Sequence, residues 1–455
     1  MKTLALVFTP LLFGCLAGTR NRTTPNRRTL MFKMPKLAGV VACATLGFST
    51  LVHADAVTDW NTITMDAVTA GRPGPQGMLD VALVHIAVHD AVQAIEQRYE
   101  PYHFEMTNAK GSRSAATAAA AHGVLVAIYP AQASTLDTAY YNYLAQQGLN
   151  GDPGLVVGEK AAASIVPLRR ATPNPAPAPF VGSPEIGVWR PTDSFIGTPP
   201  APAPFSPMVT PWLAETNPFT LTSPRRFRAS APPALTSERY TRDYAEVKAI
   251  GAFNSTVRTA EQTDLAYFYN DNFFAQWNRV LRGIAQQRVQ KIGDSARLFA
   301  LANMAGADAL ITCWDSKKTY VFWRPLTAIR EGANDGNDFT VADPTWQPLV
   351  NTPNYPDYSS GANSLVAAMT HTLERFFGSD RGPLEVTSLH PLAVKKTRTY
   401  ARFSDAADDV VEARIYLGIH FRFADVTARR QGTKVAEHAF EHFLLPLERR
   451  NRWEH

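Results

Sequence analysis

Three short stretches hold the residues whose types and spacing could do chemistry. In the first, Trp314-Asp315-Ser316-Lys317-Lys318-Thr319-Tyr320-Val321-Phe322-Trp323-Arg324-Pro325, the cations Lys317 and Arg324 stand seven residues apart. On a helix that is two turns, which predicts both on one face, and cations sharing a face invite an oxyanion. An isolated pair of this kind is more often a solvated basic face. Here the flanking aromatic and apolar residues predict burial, and a buried cation needs an anionic partner.

The second stretch, Asn354-Tyr355-Pro356-Asp357-Tyr358-Ser359-Ser360-Gly361-Ala362-Asn363, runs into a helical stripe of Leu365, Val366, Met369, Leu373, Phe376 and Phe377 closed by Gly378. Ser360 and Gly361 thus open a helix, where free amides, a hydroxyl and the positive end of the dipole suit an anion. Serine at such a position is more often only a cap. In the third stretch, Arg414-Ile415-Tyr416-Leu417-Gly418-Ile419-His420-Phe421-Arg422-Phe423-Ala424-Asp425, a helix breaks near Gly418 and presents His420 beyond its end. A lone histidine among aromatics is usually a core residue, and His420 gains weight only beside the other two stretches.

Other groups carry less. His85 and His89 lie four apart on one helical face beside Asp90, but without an identifiable third ligand they read as packing or hydrogen-bonding residues. His438, Glu441 and His442 read as a solvated face of the last helix, and Asp335-Gly336-Asn337-Asp338 as a turn, since no bidentate glutamate follows at calcium-loop distance.

The elements that must position these residues are helical. Apolar residues recur near a period of 3.6 from about 78 to 149, again near Ser237, and through 260–284, 293–313, 364–377, 406–417 and 426–445, with no convincing alternating strand. The expected fold class is all-α, a helical bundle. Residues 171–235 differ: repeated Ala-Pro and Thr-Pro runs predict a long surface excursion pinned by Trp189, Phe205, Trp212 and Phe219. The expected organisation is therefore a leader over 1–54, an N-terminal helical region over 55–170, the Pro-rich wrapping segment over 171–235 and a C-terminal helical core over 236–455.

With 455 residues, 45% hydrophobic and 19% charged, the chain has the composition of a globular protein with a large core. The net charge of +5 is uneven: residues 1–54 hold seven basic side chains and no acid, leaving 38 basic against 40 acidic beyond them. Nothing in the folded part calls for nucleic acid. Phe32-Lys33-Met34-Pro35-Lys36, the apolar stretch 37–51 and Val52-His53-Ala54 read as a signal peptide cleaved after Ala54. A weaker signal at Met1 leads to Cys15 and resembles a lipoprotein site, so the true start is expected at Met31 or Met34. The mature chain is expected to be exported, periplasmic or secreted, with no membrane span. Only Cys313 remains beyond the leader, which excludes an internal disulfide and a four-cysteine zinc site.

Taken together, Lys-six residues-Arg-Pro, then Ser-Gly at a helix start, then Arg-five residues-His closely resemble the three-part signature of the vanadium-dependent haloperoxidase and type 2 phosphatidic acid phosphatase superfamily. The resemblance covers residues 300–445, with a looser likeness in 80–95. It implies a tetrahedral phosphate or vanadate inside a helical bundle. Lys317, Arg324 and Arg414 would neutralise its equatorial oxygens, and Ser360 with the Gly361 amide would donate to them. His420 would be the axial group, a ligand to vanadium in a peroxidase or the nucleophile in a phosphatase, and Trp314 a wall of the pocket.

The chain departs from the signature twice. Ser360-Gly361-Ala362 lacks the family's acid–base histidine at 362, and His371, more than two turns on, is a poor substitute. Asp425 stands five residues after His420 where the family has an acid four after, and is expected to reach its imidazole only if the helix start shifts. Loss of the acid–base group weakens the phosphatase reading more than the peroxidase one. The resemblance therefore implies a soluble bacterial-type haloperoxidase that uses vanadate, hydrogen peroxide, bromide or iodide and an organic acceptor. Phosphohistidine hydrolysis of a phosphate ester, or non-catalytic binding of phosphate or vanadate, remain as alternatives. Related enzymes are often dimeric, which makes a homodimer the assembly the resemblance allows.

Overall fold

The computed structural model describes residues 55–72, 74–170, 179–192 and 207–447. The leader with its export signals, and Phe205, lie outside the described residues. The helices are α1 (Ala56–Gly71), α2 (Gly77–Glu96), α3 (Arg113–Ile128), α4 (Ala133–Gln147), α5 (Gly154–Arg170), α6 (Glu238–Ile250), α7 (Ala260–Phe268), α8 (Phe273–Arg288), α9 (Ile292–Tyr320), α10 (Pro325–Arg330), α11 (Gly361–Phe377), α12 (Phe403–Tyr416) and α13 (Arg422–His442).

The axis of the fold is α9. Its Ala, Leu and Met content favours helix, and its residues are apolar on nearly all sides, which suits only an interior position. Gly293 and every residue from Ser295 to Lys317 are buried, against α2 on one flank and α11 and α13 on another. At 29 residues it runs about 44 Å. α2 joins α9 to the N-terminal helices, since it also packs on α3 and α5. Gly432 lets α13 approach α11 closely, because a Cβ there would stand 2.0 Å from the Ser364 carbonyl. Of the described helices only α2 is long and apolar enough to cross a membrane, and 89% of its apolar window is buried inside the protein.

One expectation is overturned by a small antiparallel sheet between β1 (Arg381–Thr387) and β2 (Thr397–Arg402). Leu384 and Val386 alternate inward while their neighbours are polar, a period-2 pattern too short to stand out. Around it the helical class holds. The described parts of the Pro-rich segment are fastened by side chains. Trp189 is buried and stacks on Phe180, Trp212 is half-buried and Phe219 buried. From α9, Asp308 accepts the Phe219 and Thr220 amides and the Thr220 hydroxyl, each at 2.6 Å.

Candidate oxyanion site

The residues of the three stretches converge beside the C-terminal end of α9. Lys317 sits in the last turn of that helix, Arg324 just before α10, Ser360 at the start of α11, Arg414 in the last turn of α12, and His420 in the connection to α13. All are buried. The expectation that Lys317 and Arg324 share a helical face fails. α9 ends at Tyr320, Val321 turns the chain with φ 46°, and Arg324 is extended at φ −84°, ψ 156°. Asp-Ser-Lys-Lys-Thr-Tyr carries no glycine or proline to announce that stop.

What unites the two cations is the segment 355–357 threaded over them. Lys317 Nζ donates to the carbonyls of Pro356 (2.6 Å) and Asp357 (3.0 Å), and Arg324 Nε to that of Tyr355 (2.8 Å). The Tyr355 ring covers both, 4.8 Å from Lys317 Nζ and 4.6 Å from Arg324 Cζ, and lies 5.1 Å from the Trp314 ring. Trp314 lies against the cluster, held by its own bond to the Val209 carbonyl.

Gly418 makes the turn that delivers His420. It adopts φ 76°, and a Cβ there would lie 2.4 Å from the Gly251 carbonyl. The carboxylate that meets the imidazole is Asp357, not Asp425: its Oδ1 lies 2.7 Å from His420 Nδ1. The extra residue before Asp425 turns its side chain to α11, where it accepts from Asn363 Nδ2 at 2.8 Å and faces the Ser360 hydroxyl. Sequence reasoning passed over Asp357, Tyr355 and Asn363. The available signal was charge balance, since a buried set of three cations with one acid invites a search for a second.

Burial sets the electrostatics. It lowers the Lys317 ammonium to about 7, with Arg324 adding repulsion, and drives His420 well below its ordinary value with Arg324, Lys317 and Arg414 contributing. It also raises Asp357 to about 7 and Asp425 well above the carboxylate range. Each cation nevertheless keeps bonding capacity. Lys317 spends two of its three protons on carbonyls, while Arg324 Nη2 and Arg414 Nε, fully enclosed, have no partner. Ser360 caps nothing on its own helix, and the α11 amides begin at Gly361. The unpartnered guanidinium nitrogens fit a bound oxyanion, and Asp357 Oδ2, Asn363 Oδ1 and Asp425 Oδ2 are unpartnered acceptors in the same cluster.

The remaining candidates lie elsewhere. His371 is held by Glu374 and Glu437 on the outer side of α11, so it does not substitute at Ala362. His85 pairs with Asn61, and His89 with the Glu100 carbonyl. No cluster among the described residues is arranged to hold a metal through His, Cys, Asp and Glu alone.

Residues 297–448 match the family model of the VCPO second helical-bundle domain. The chain is 24% identical over 293 residues to vanadium chloroperoxidase of Curvularia inaequalis, a match that takes in 50% of this chain and 48% of that protein. It thus spans about half the length of the curated relative it matches. Among solved structures, a bacterial vanadium-dependent iodoperoxidase superposes with a TM-score of 0.71 at 22% identity, covering 85% of this chain and 97% of its own. The holo form of a bacterial vanadium-dependent chloroperoxidase gives 0.65 at 17%, covering 86% and 93%.

Proposed function

We propose that the chain is an exported vanadium-dependent haloperoxidase that uses hydrogen peroxide to oxidise bromide or iodide, with vanadate held at His420. The observation that carries this reading is the enclosed set of Lys317, Arg324 and Arg414, with unpartnered guanidinium nitrogens beside a neutral His420. Likeness to chloroperoxidase and iodoperoxidase supports the same class.

Vanadate, when bound, supplies a Lewis-acidic centre that activates peroxide toward a halide. The protein contributes a charge-matched cradle. The three cations balance the oxyanion, and being fixed by packing they need no reorganisation during turnover. Ser360 and the Gly361 amide donate at the positive end of α11. His420 would offer a nitrogen lone pair to the vanadium, and Trp314 and Tyr355 keep water from the cations. Lys317 Nζ gives two of its protons to carbonyls and has the third to donate toward the bound anion. Ala362 has no proton to exchange, which weighs more against a phosphatase, whose alkoxide leaving group needs a proton, than against a peroxidase.

The test uses the chain from Asp55, stripped of phosphate, loaded with orthovanadate and assayed for peroxide-dependent bromination and iodination beside hydrolysis of an activated aryl phosphate. Vanadate-dependent halogenation that vanishes in His420→Ala is the expected result. Hydrolysis inhibited by vanadate overturns the reading in favour of a phosphatase, and tight vanadate binding with neither activity reduces it to an anion-binding protein.

A further inference from the structure

His420 is a single residue on a turn, and a histidine so placed has two tautomers and a rotatable ring. Whatever acts at the anion must come from one chosen nitrogen. One contact makes the choice: Asp357 Oδ1 lies 2.7 Å from Nδ1, and a carboxylate accepts, so the proton of the neutral ring sits on Nδ1 and leaves Nε2 bare. Arg324 Nη1, 3.1 Å from Nε2 and 3.4 Å from Nδ1, is nearly equidistant from the two nitrogens and so stands over the ring face, away from the in-plane lone pair of Nε2.

Asp357 is itself held for this task. Its amide donates to the Phe322 carbonyl at 2.9 Å, its carbonyl accepts Lys317, and its carboxylate also lies 3.7 Å from Arg324 Nη1. The carboxylate therefore ties the segment before α11 to the turn after α12, the two parts of the chain that carry Ser360 and His420.

We propose that Asp357 is the positioning residue of this site, fixing His420 as its Nδ1–H tautomer with the Nε2 lone pair turned to the cation cluster. His420 is then the group that meets a bound oxyanion, through Nε2. The inference rests on the reading of His420 as that group, but its first test does not.

Nitrogen-15 spectra of histidine-labelled, anion-free protein, with the His420 signals identified by their loss in His420→Gln, are expected to show Nδ1 protonated and Nε2 bare. A protonated Nε2 overturns the proposal, and this needs no variant at 357 to fold. Asp357→Asn, which keeps size but can turn an amide N–H toward the ring, is expected to mix or reverse the tautomers and to weaken orthovanadate binding about 10- to 100-fold. Unchanged tautomer and affinity in a folded Asp357→Asn protein also overturn it. If the tautomer is as stated but wild-type protein binds no vanadate, the positioning role stands and the proposed function fails.

Discussion

Two buried polar clusters lie on either side of α9, and they differ in how completely they are closed. In the one around His85, Asn61 Nδ2 serves His85 Nε2 and Asn278 Oδ1 at 2.8 Å each, Arg282 donates to Asn61 Oδ1 at 2.6 Å, and Asn278 donates to Asn303 at 3.0 Å. This chain is mostly neutral amides, each answered by another or by a helix carbonyl. Its one loose end is His85 Nδ1 beside the Phe299 ring. Around His420, by contrast, three cations face two carboxylates whose charge burial suppresses, and two guanidinium nitrogens are left without acceptors. A closed network specifies packing. An open one leaves buried groups unmet, here Asp357 Oδ2, Asn363 Oδ1 and Asp425 Oδ2 as well as the two guanidinium nitrogens, and those nitrogens are the part that suits an anion.

The comparison can be broken by exchanging the expected losses. Arg414→Met removes a cation with an unpartnered Nε, so oxyanion affinity is expected to fall on the order of a hundredfold, about 3 kcal/mol. The melting temperature of the anion-free protein should hold or rise, because a desolvated charge has been removed. Isothermal titration with orthovanadate beside calorimetric melting measures both, and a large stability loss with affinity intact would reverse the assignment of the two clusters. Asn278→Leu is expected to do the opposite. It strips Asn61 and Asn303 of a partner and should cost about 2 to 3 kcal/mol in chemical denaturation, with vanadate affinity within about twofold of the parent.

The same contrast explains what the sequence made legible. Lys317, Arg324, Ser360, Arg414 and His420 could be found because their chemistry is tied to local order along the chain, and the helical class because α9, α11 and α13 carry a regular apolar period. Asp357 could not be ranked, since its role depends on a turn at Gly418 bringing His420 across from another stretch. Asp425 was misassigned for the same reason: one added residue rotates a side chain by about 100° on a helix and delivers it to Asn363. The shared face expected of Lys317 and Arg324 failed because α9 stops at Tyr320 by tertiary packing rather than by a breaker. β1 and β2 are too short and too polar for periodicity to register.

The open cluster also lacks a proton carrier at 362, where Ala362 is buried one residue into α11. Ala362→His is expected to raise halogenation or hydrolysis turnover about tenfold while leaving vanadate affinity nearly unchanged. An unaltered rate in a folded variant would mean that position 362 does not face the anion.

The smallest effect concerns one proton. The unfolded Lys317 would titrate near its ordinary 10.5 and the folded one near 7, so between those values the unfolded chain holds a proton that the folded one has released. Stability from this group therefore rises with pH from 7 to 10.5. An oxyanion beside the amine favours its charged form and reverses the release. Binding of sulfate, which has no proton to exchange in this range, is accordingly expected to take up as much as one proton at pH 8 and less at pH 6, where Lys317 is already charged. Calorimetry in two buffers of different ionisation enthalpy reads the number directly. Lys317→Arg, permanently charged, should reduce the uptake at pH 8; if it does not, the proton goes to another group, and Asp357, held near 7 from the opposite side, is the one to examine.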